Sequence, residues 1–146
     1  MAGILFDTSV YISALRQGDA SILSLRRAVR AGETQTRPLW LSIVVLEELY
    51  AGAIDAKALK AFQQTERDFA KAGRLLVPAR REWTLAGQVL CRLGVKYGFD
   101  QIGRARLIND ALIAMSAANH GLIVLTKNPG DYRRLAEFRA FQWETI

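Results

Sequence analysis

Short apolar runs alternate with stretches of helical periodicity from one end of the chain to the other. Gly3–Phe6 is an apolar run that stops at an acid, the pattern of a buried strand. Ser9–Leu15 then reads as helix. Asp19 or Ser21 can cap a helix over Ile22–Ala31, with Leu23, Leu25, Ala28 and Val29 inward and Arg26, Arg27 and Arg30 outward. Trp40–Val45 is apolar and β-branched, a second strand that passes into a helix at Leu46–Ala51. Lys57–Ala72 is helical and ends at Gly73, a plausible C-cap. Leu75–Val77, stopped by Pro78, is a short strand, and Arg80–Leu93 a helix with Trp83, Ala86, Val89 and Leu90 on one side. Arg104–Asn119 is the next helix, closed by Gly121. Leu122–Leu125 is a strand, Gly130–Ala136 a short helix and Phe138–Trp143 a last strand. Strands alternating with helices predict an α/β fold, a parallel sheet with helices on both faces.

In such sheets the ligand site lies beyond the carboxyl ends of the strands. That rule gives the acids a place. Asp7 directly follows the first strand, and Asp131 lies shortly after the strand at Leu122–Leu125. Glu48 and Asp110 sit on helices predicted to face the same crevice. Asp110 is the sharpest case, because it stands among Leu107, Ile108, Ala111, Leu112, Ile113 and Ala114. A buried carboxylate without a partner is costly, so it normally has one or has a task.

Taken singly, each acid has a plainer reading. Asp7 can cap the helix that follows it, worth about 1 kcal/mol. Asp110 can pair with Arg104 or Arg106. Asp131 can be a cap or turn residue, and Asp100 a loop residue. Taken together, the acids form a cluster whose mutual repulsion a divalent cation would relieve. Oxygen-only ligands point to Mg²⁺ or Mn²⁺. Zinc does not fit, since Cys91 and His120 are the only soft ligands. The chemistry that uses such a site is phosphodiester hydrolysis, in which the cation makes hydroxide available near neutral pH and offsets charge in the transition state. No Ser/His/Asp nucleophilic set is visible, because the lone His120 falls at a helix end.

The charge balance agrees with a polyanionic partner. Net charge is +6, carried by 15 Arg and 5 Lys. Arginine grips phosphate with a planar two-pronged fork that lysine lacks, so nucleic acid is the first candidate. A basic surface that only aids solubility is the alternative. The longest apolar stretches fall far short of the roughly 18 residues a membrane helix needs, and the start MAGILFD has no basic segment ahead of it. The lone Cys91 cannot form an intrachain disulfide and reads as a small buried apolar residue. A single cytoplasmic domain over residues 1–146 is the expectation.

Four stretches carry a resemblance: LFDTSVYI, VVLEELYAG, LINDALIAM and LTKNPGDY. In this order they resemble the PIN-domain ribonucleases, and among them the VapC-type toxins of toxin–antitoxin pairs. The resemblance implies a PIN-like three-layer α/β/α fold with a central, mainly parallel sheet. It implies that Asp7, Glu48 and Asp110 are catalytic, metal-binding acids. Glu48 is preferred to Glu47 because Leu49 and, further on, Gly52 follow it. At the position where many relatives carry a fourth acid this chain has Asn128, and Asp131 is the nearest acid able to supply the charge. Thr8 or Ser9 would support Asp7, and Thr126 would play a similar role.

The implied substrate is a structured RNA such as a tRNA or ribosomal RNA stem-loop, approached over Lys127, Arg133, Arg134, Arg104 and Arg106. Any of these can equally be a solvated surface charge. The implied partners are a cognate antitoxin and a second copy of the chain. Ile54–Arg74, with Leu59, Phe62 and Phe69, can line an antitoxin groove or simply pack on the core. Two other classes stay open. One is a phosphate-binding α/β module in which Asp7 accepts a phosphoryl group, although the chain has no Gly-rich phosphate loop. The other is a catalytically idle interaction fold, toward which Asn128 points.

Overall fold

The computed structural model describes residues 2–24, 37–103 and 105–146. Five strands, β1 (Ile4–Phe6), β2 (Leu39–Ser42), β3 (Leu75–Leu76), β4 (Ile123–Thr126) and β5 (Trp143–Thr145), form one sheet in the order β3-β2-β1-β4-β5. All four pairings are parallel, so the sheet expected to be mainly parallel is wholly so. Among the described residues six α-helices join them: α1 (Thr8–Arg16), α2 (Ile43–Ala51), α3 (Ala56–Lys71), α4 (Arg80–Tyr97), α5 (Ala105–Asn119) and α6 (Pro129–Ala136). Residues of β1 are buried at every position, as in a strand covered on both faces.

The chain runs outward from β1 through β2 to β3. It then returns to the other side of β1 as β4 and continues to β5. The direction of strand order therefore reverses between β1 and β4, where a parallel sheet opens a crevice at its carboxyl edge.

Helix α5 feeds β4 through a Schellman turn. Leu122 N donates to Ala117 O at 3.0 Å and Gly121 N to Ala118 O at 3.3 Å, with Gly121 at φ +64°. Helix α3 ends the same way on Gly73, at φ +70°. A side chain at these positions would meet the left-handed penalty that glycine escapes.

Several boundaries differ from the sequence reading. The strand expected over Trp40–Val45 stops at Ser42, because the Ser42 hydroxyl accepts from Val44 N at 3.1 Å and starts α2. The β-branched Val44 and Val45 are thus helical, burial outweighing their strand preference. The last strand begins at Trp143 rather than Phe138. Helix α4 runs on to Tyr97, and its buried side is Ala86, Val89, Leu90 and Leu93. Trp83, expected on that side, is 56% exposed. Cys91, expected to be buried, is exposed on the same helix. Ile108 stands at the edge of the apolar face of α5 and is also exposed. Of the helix expected over Ile22–Ala31, residues 25–31 lie outside the described residues, while Ala20–Leu23 form a 3-10 turn after Asp19. Arg104 also lies outside them.

Candidate active site

Each site acid is placed by the element before it. The ladder of β1 extends one step further, with Asp7 N donating to Leu125 O at 3.0 Å. The Asp7 carboxylate then caps α1, accepting from Val10 N at 3.4 Å. Capping and a place in the crevice are not alternatives here. Asp7 does both, and is 2% exposed. Ser9 Oγ donates to its Oδ1 at 2.5 Å and Thr126 Oγ1 to its Oδ2 at 2.6 Å. The loop after β4 locks onto the same hydroxyls: Lys127 N donates to Ser9 Oγ at 3.0 Å and Asn128 N to Thr126 Oγ1 at 2.9 Å. Thr8 does not join this set. Its hydroxyl donates to Glu48 Oε1 at 2.9 Å, linking α1 to α2.

Asp110 takes a core position on α5. Leu107, Asp110, Ala111 and Ala114 recur at the spacing of one helix face, and all four are buried. The sequence left open an ion pair with Arg106. No cation stands at ion-pair distance from Asp110 among the described residues, and its hydrogen bond comes instead from the Tyr132 hydroxyl, 3.2 Å from Oδ1.

Asp7, Glu48 and Asp110 line one open cavity of about 800 Å³, together with Thr8, Ser9, Arg16 and Arg106. Glu47 is exposed at its rim. Burial raises the carboxyl of Asp7 above the usual aspartate range, the Ser9 and Thr126 hydroxyls partly opposing the shift. Glu48 is raised by burial and by the charges of Glu47 and Asp7. Asp110 is pushed up to about 8, by burial first and then by the charges of Asp7 and Asp131, with Arg106 pulling the other way. Among the described residues none of the three has a cation at ion-pair distance, and Arg106 acts on Glu48 and Asp110 only from further away.

Asp131 and Asn128 stand apart from that cavity. They line a smaller one of about 230 Å³ beside it, with Gln101, Leu107, Arg134 and, shared between the two, Arg106. Asp131 is on the first turn of α6 and accepts from Arg134 Nη2 at 2.6 Å. Arg134 also donates to Gln101 Oε1 at 2.7 Å. Its guanidinium is thus tied into the protein. Lys127 and Arg133 are exposed and line neither cavity. His120 closes α5, its Nδ1 2.9 Å from Ser116 O.

Sequence reasoning missed three features. Arg16 lies on the face of α1 that carries Ser9 and Ser13, all three on the cavity wall. Its signal is the spacing from Ser9. Asn109 lines the same wall from α5. Tyr132 is the third, and only its place next to Asp131 marked it.

Among the described residues no group of three or more acids, histidines or cysteines is already gathered around a single ion position. The donor chemistry nevertheless suits a hard divalent cation: all-oxygen, acidic, buried and mutually repelling.

Comparison with known proteins bears on this geometry. The chain resembles the solved DNA-bound VapBC complex from Salmonella typhimurium, with 20% identity and a TM-score of 0.62 over 99% of this chain and 98% of that one. It resembles VapBC2 from Rickettsia felis bound to a promoter DNA fragment at 17% identity and 0.62, covering 98% of each chain. VapBC-5 from Mycobacterium tuberculosis gives 23% and 0.52, over 100% of this chain and 98% of that one. At these identities the likeness is one of fold. No curated protein sequence matches. The family model of the PIN domain matches residues 4–137. With the parallel sheet and the acids at its switch point, this match establishes that the chain belongs to the PIN domain family.

Proposed function

We propose that this chain is a divalent-metal-dependent endoribonuclease, the toxin of a VapBC-type toxin–antitoxin pair. The observation that carries the reading is the convergence of Asp7, Glu48 and Asp110 on one cavity at the carboxyl edge of the sheet, two of them buried and none paired with a cation among the described residues. These three acids would hold Mg²⁺ or Mn²⁺. When bound, the cation supplies the Lewis acidity that makes hydroxide available near neutral pH and offsets charge on the phosphoryl oxygens.

The other roles belong to the protein. Ser9 and Thr126 fix both oxygens of Asp7, and Thr8 fixes Glu48. Arg106 and Arg16, on the wall of the cavity, meet phosphates beside the scissile one and hold the strand over the acids. Such contacts position the backbone without reading sequence, so the choice of tRNA or ribosomal RNA lies elsewhere. Asp131 and Asn128 are the reserve for a fourth ligand, with Asp131 first leaving Arg134. Lys127 and Arg133 extend the basic approach outward, as Arg104 would. Arg134 is a weaker candidate for RNA, being engaged already.

The toxin–antitoxin reading draws on the solved relatives, which are VapBC assemblies. An antitoxin partner and a homodimer follow from it as proposals. Phe62 and Phe69 of α3 are buried in this chain's own core, so the stretch offers an antitoxin groove little beyond Leu59 on α3 and Ile54 just ahead of it, which are exposed. No helix among the described residues is long and apolar enough to cross a membrane.

One observation favours a catalytically idle fold instead: position 128 is an amide, and the nearest acid is tied to Arg134. The same assay separates the two. Purified chain, free of antitoxin, is incubated with total RNA in Mn²⁺ or in EDTA, beside Asp110→Asn. Discrete fragments that require both metal and Asp110 are expected. Fragments that persist in EDTA would remove the metal from the mechanism, and intact RNA across all candidate targets would favour the idle fold.

A further inference from the structure

Tyr132 is wholly buried on α6, yet its hydroxyl reaches Asp110 on the wall of the main cavity. Its ring packs edge-on against Phe141, with centroids 6.1 Å apart. Leu135, one turn on, is buried on the same face. The ring therefore has little freedom, and its hydroxyl is held where the fold puts it. That hydroxyl meets Asp110 Oδ1 at 3.2 Å. The phenol O–H is the donor to the carboxylate.

The other oxygen, Oδ2, has no hydrogen-bond partner among the described residues, although Asp110 lines the main cavity. One oxygen is thus tethered from behind and the other left for a ligand. A neutral donor in this position steadies an ionised carboxylate without competing with a cation as Arg or Lys would. Outer-shell partners of this kind orient metal ligands and typically change metal affinity about 10–100-fold when removed.

We infer that Tyr132 is a positioning residue for the metal site, fixing Asp110 so that its free oxygen faces the cation. The inference rests on the reading of Asp110 as a metal ligand. The test is calorimetric titration of Mn²⁺ into the EDTA-stripped full chain, using wild type, Tyr132→Phe and Asp110→Asn, with thermal unfolding of each in EDTA. Tyr132→Phe should remain folded and bind Mn²⁺ about tenfold more weakly. Binding unchanged in Tyr132→Phe but lost in Asp110→Asn would overturn the role of Tyr132 and leave the site standing. Binding unchanged in Asp110→Asn would instead sink the metal reading beneath it. A second variant guards against a folding defect: 4-aminophenylalanine in place of Tyr132 keeps the ring and a donor. It should bind within a few-fold of wild type, and a tenfold loss there would show that packing, not donation, was responsible.

Discussion

Asp110 and Asp131 are two acids at the same edge of the sheet, and the protein treats them in opposite ways. Asp131, on the first turn of α6, is held by Arg134 at 2.6 Å. Asp110, 6% exposed, has no cation at ion-pair distance among the described residues and is pushed up to about 8. A fold that needed only stability could have paired both or replaced Asp110 with another apolar residue, since core carboxylates are costly. Under the proposed function, the chain pairs the acid held in reserve and leaves without an ion-pair partner the acid where a cation would arrive. Asp7 follows the second pattern, with hydroxyl donors on both oxygens and no ion-pair partner among the described residues.

The largest expected effect separates the two acids by activity. Asp110→Asn removes a ligand from an interaction worth several kcal/mol in the transition state. At 1.36 kcal/mol per decade, that is a loss of roughly 10³-fold in RNA cleavage rate. Asp131→Asn should cost only about tenfold by the same conversion, read in the same assay. Equal losses would put Asp131 in the metal site and break the contrast.

Next comes stability in the absence of metal. In the folded chain Asp110 keeps its proton up to about pH 8, whereas an ordinary aspartate gives it up near 3.8. The folded state therefore binds the extra proton between those values, and stability falls as pH rises through that window. A loss on the order of a few kcal/mol is expected between pH 4 and pH 8 in EDTA. Thermal or urea unfolding across that range should show the slope in wild type and much less of it in Asp110→Asn. Saturating metal should reverse the loss. At a hundred times its Kd, Mn²⁺ adds about 2.7 kcal/mol, seen as a higher Tm in wild type and no shift in Asp110→Asn.

The smallest effect belongs to the paired acid. Arg134→Ala removes a partly exposed i,i+3 ion pair, which is worth under about 1 kcal/mol. Its Tm should move by a few degrees at most, and cleavage should change only a few-fold. A large loss of RNA affinity in this variant would return Arg134 to the substrate surface.

Most of the fold was legible because burial leaves a pattern in sequence. Ile4–Phe6 and Ile123–Thr126 are short apolar runs, and α5 carries helical periodicity along its length. Gly73 and Gly121 mark helix ends by chemistry that no other residue supplies as readily. What misled was propensity where tertiary context overrode it. Val44 and Val45 look like strand yet belong to a helix that Ser42 starts. Trp83 and Cys91 look like core yet point to solvent.

The site divides the same way. Asp7 and Asp110 stood out because an acid in an apolar run breaks a rule. The pairing of Thr8 with Glu48, 40 residues away, and of Tyr132 with Asp110, 22 away, leaves no such mark, because only the packing of one helix on another brings them together. Arg134 could have been read from its i,i+3 spacing to Asp131, but the pattern of basic residues near the site obscured it.

The most direct test of the central claim is to locate the ion. Crystals of the chain soaked in Mn²⁺ and measured at a wavelength where manganese scatters anomalously would show where it binds. The account predicts a peak in the main cavity within coordination distance of Asp7 and Asp110. A peak confined to the Asp131 cavity, or none at occupying concentrations, would contradict it.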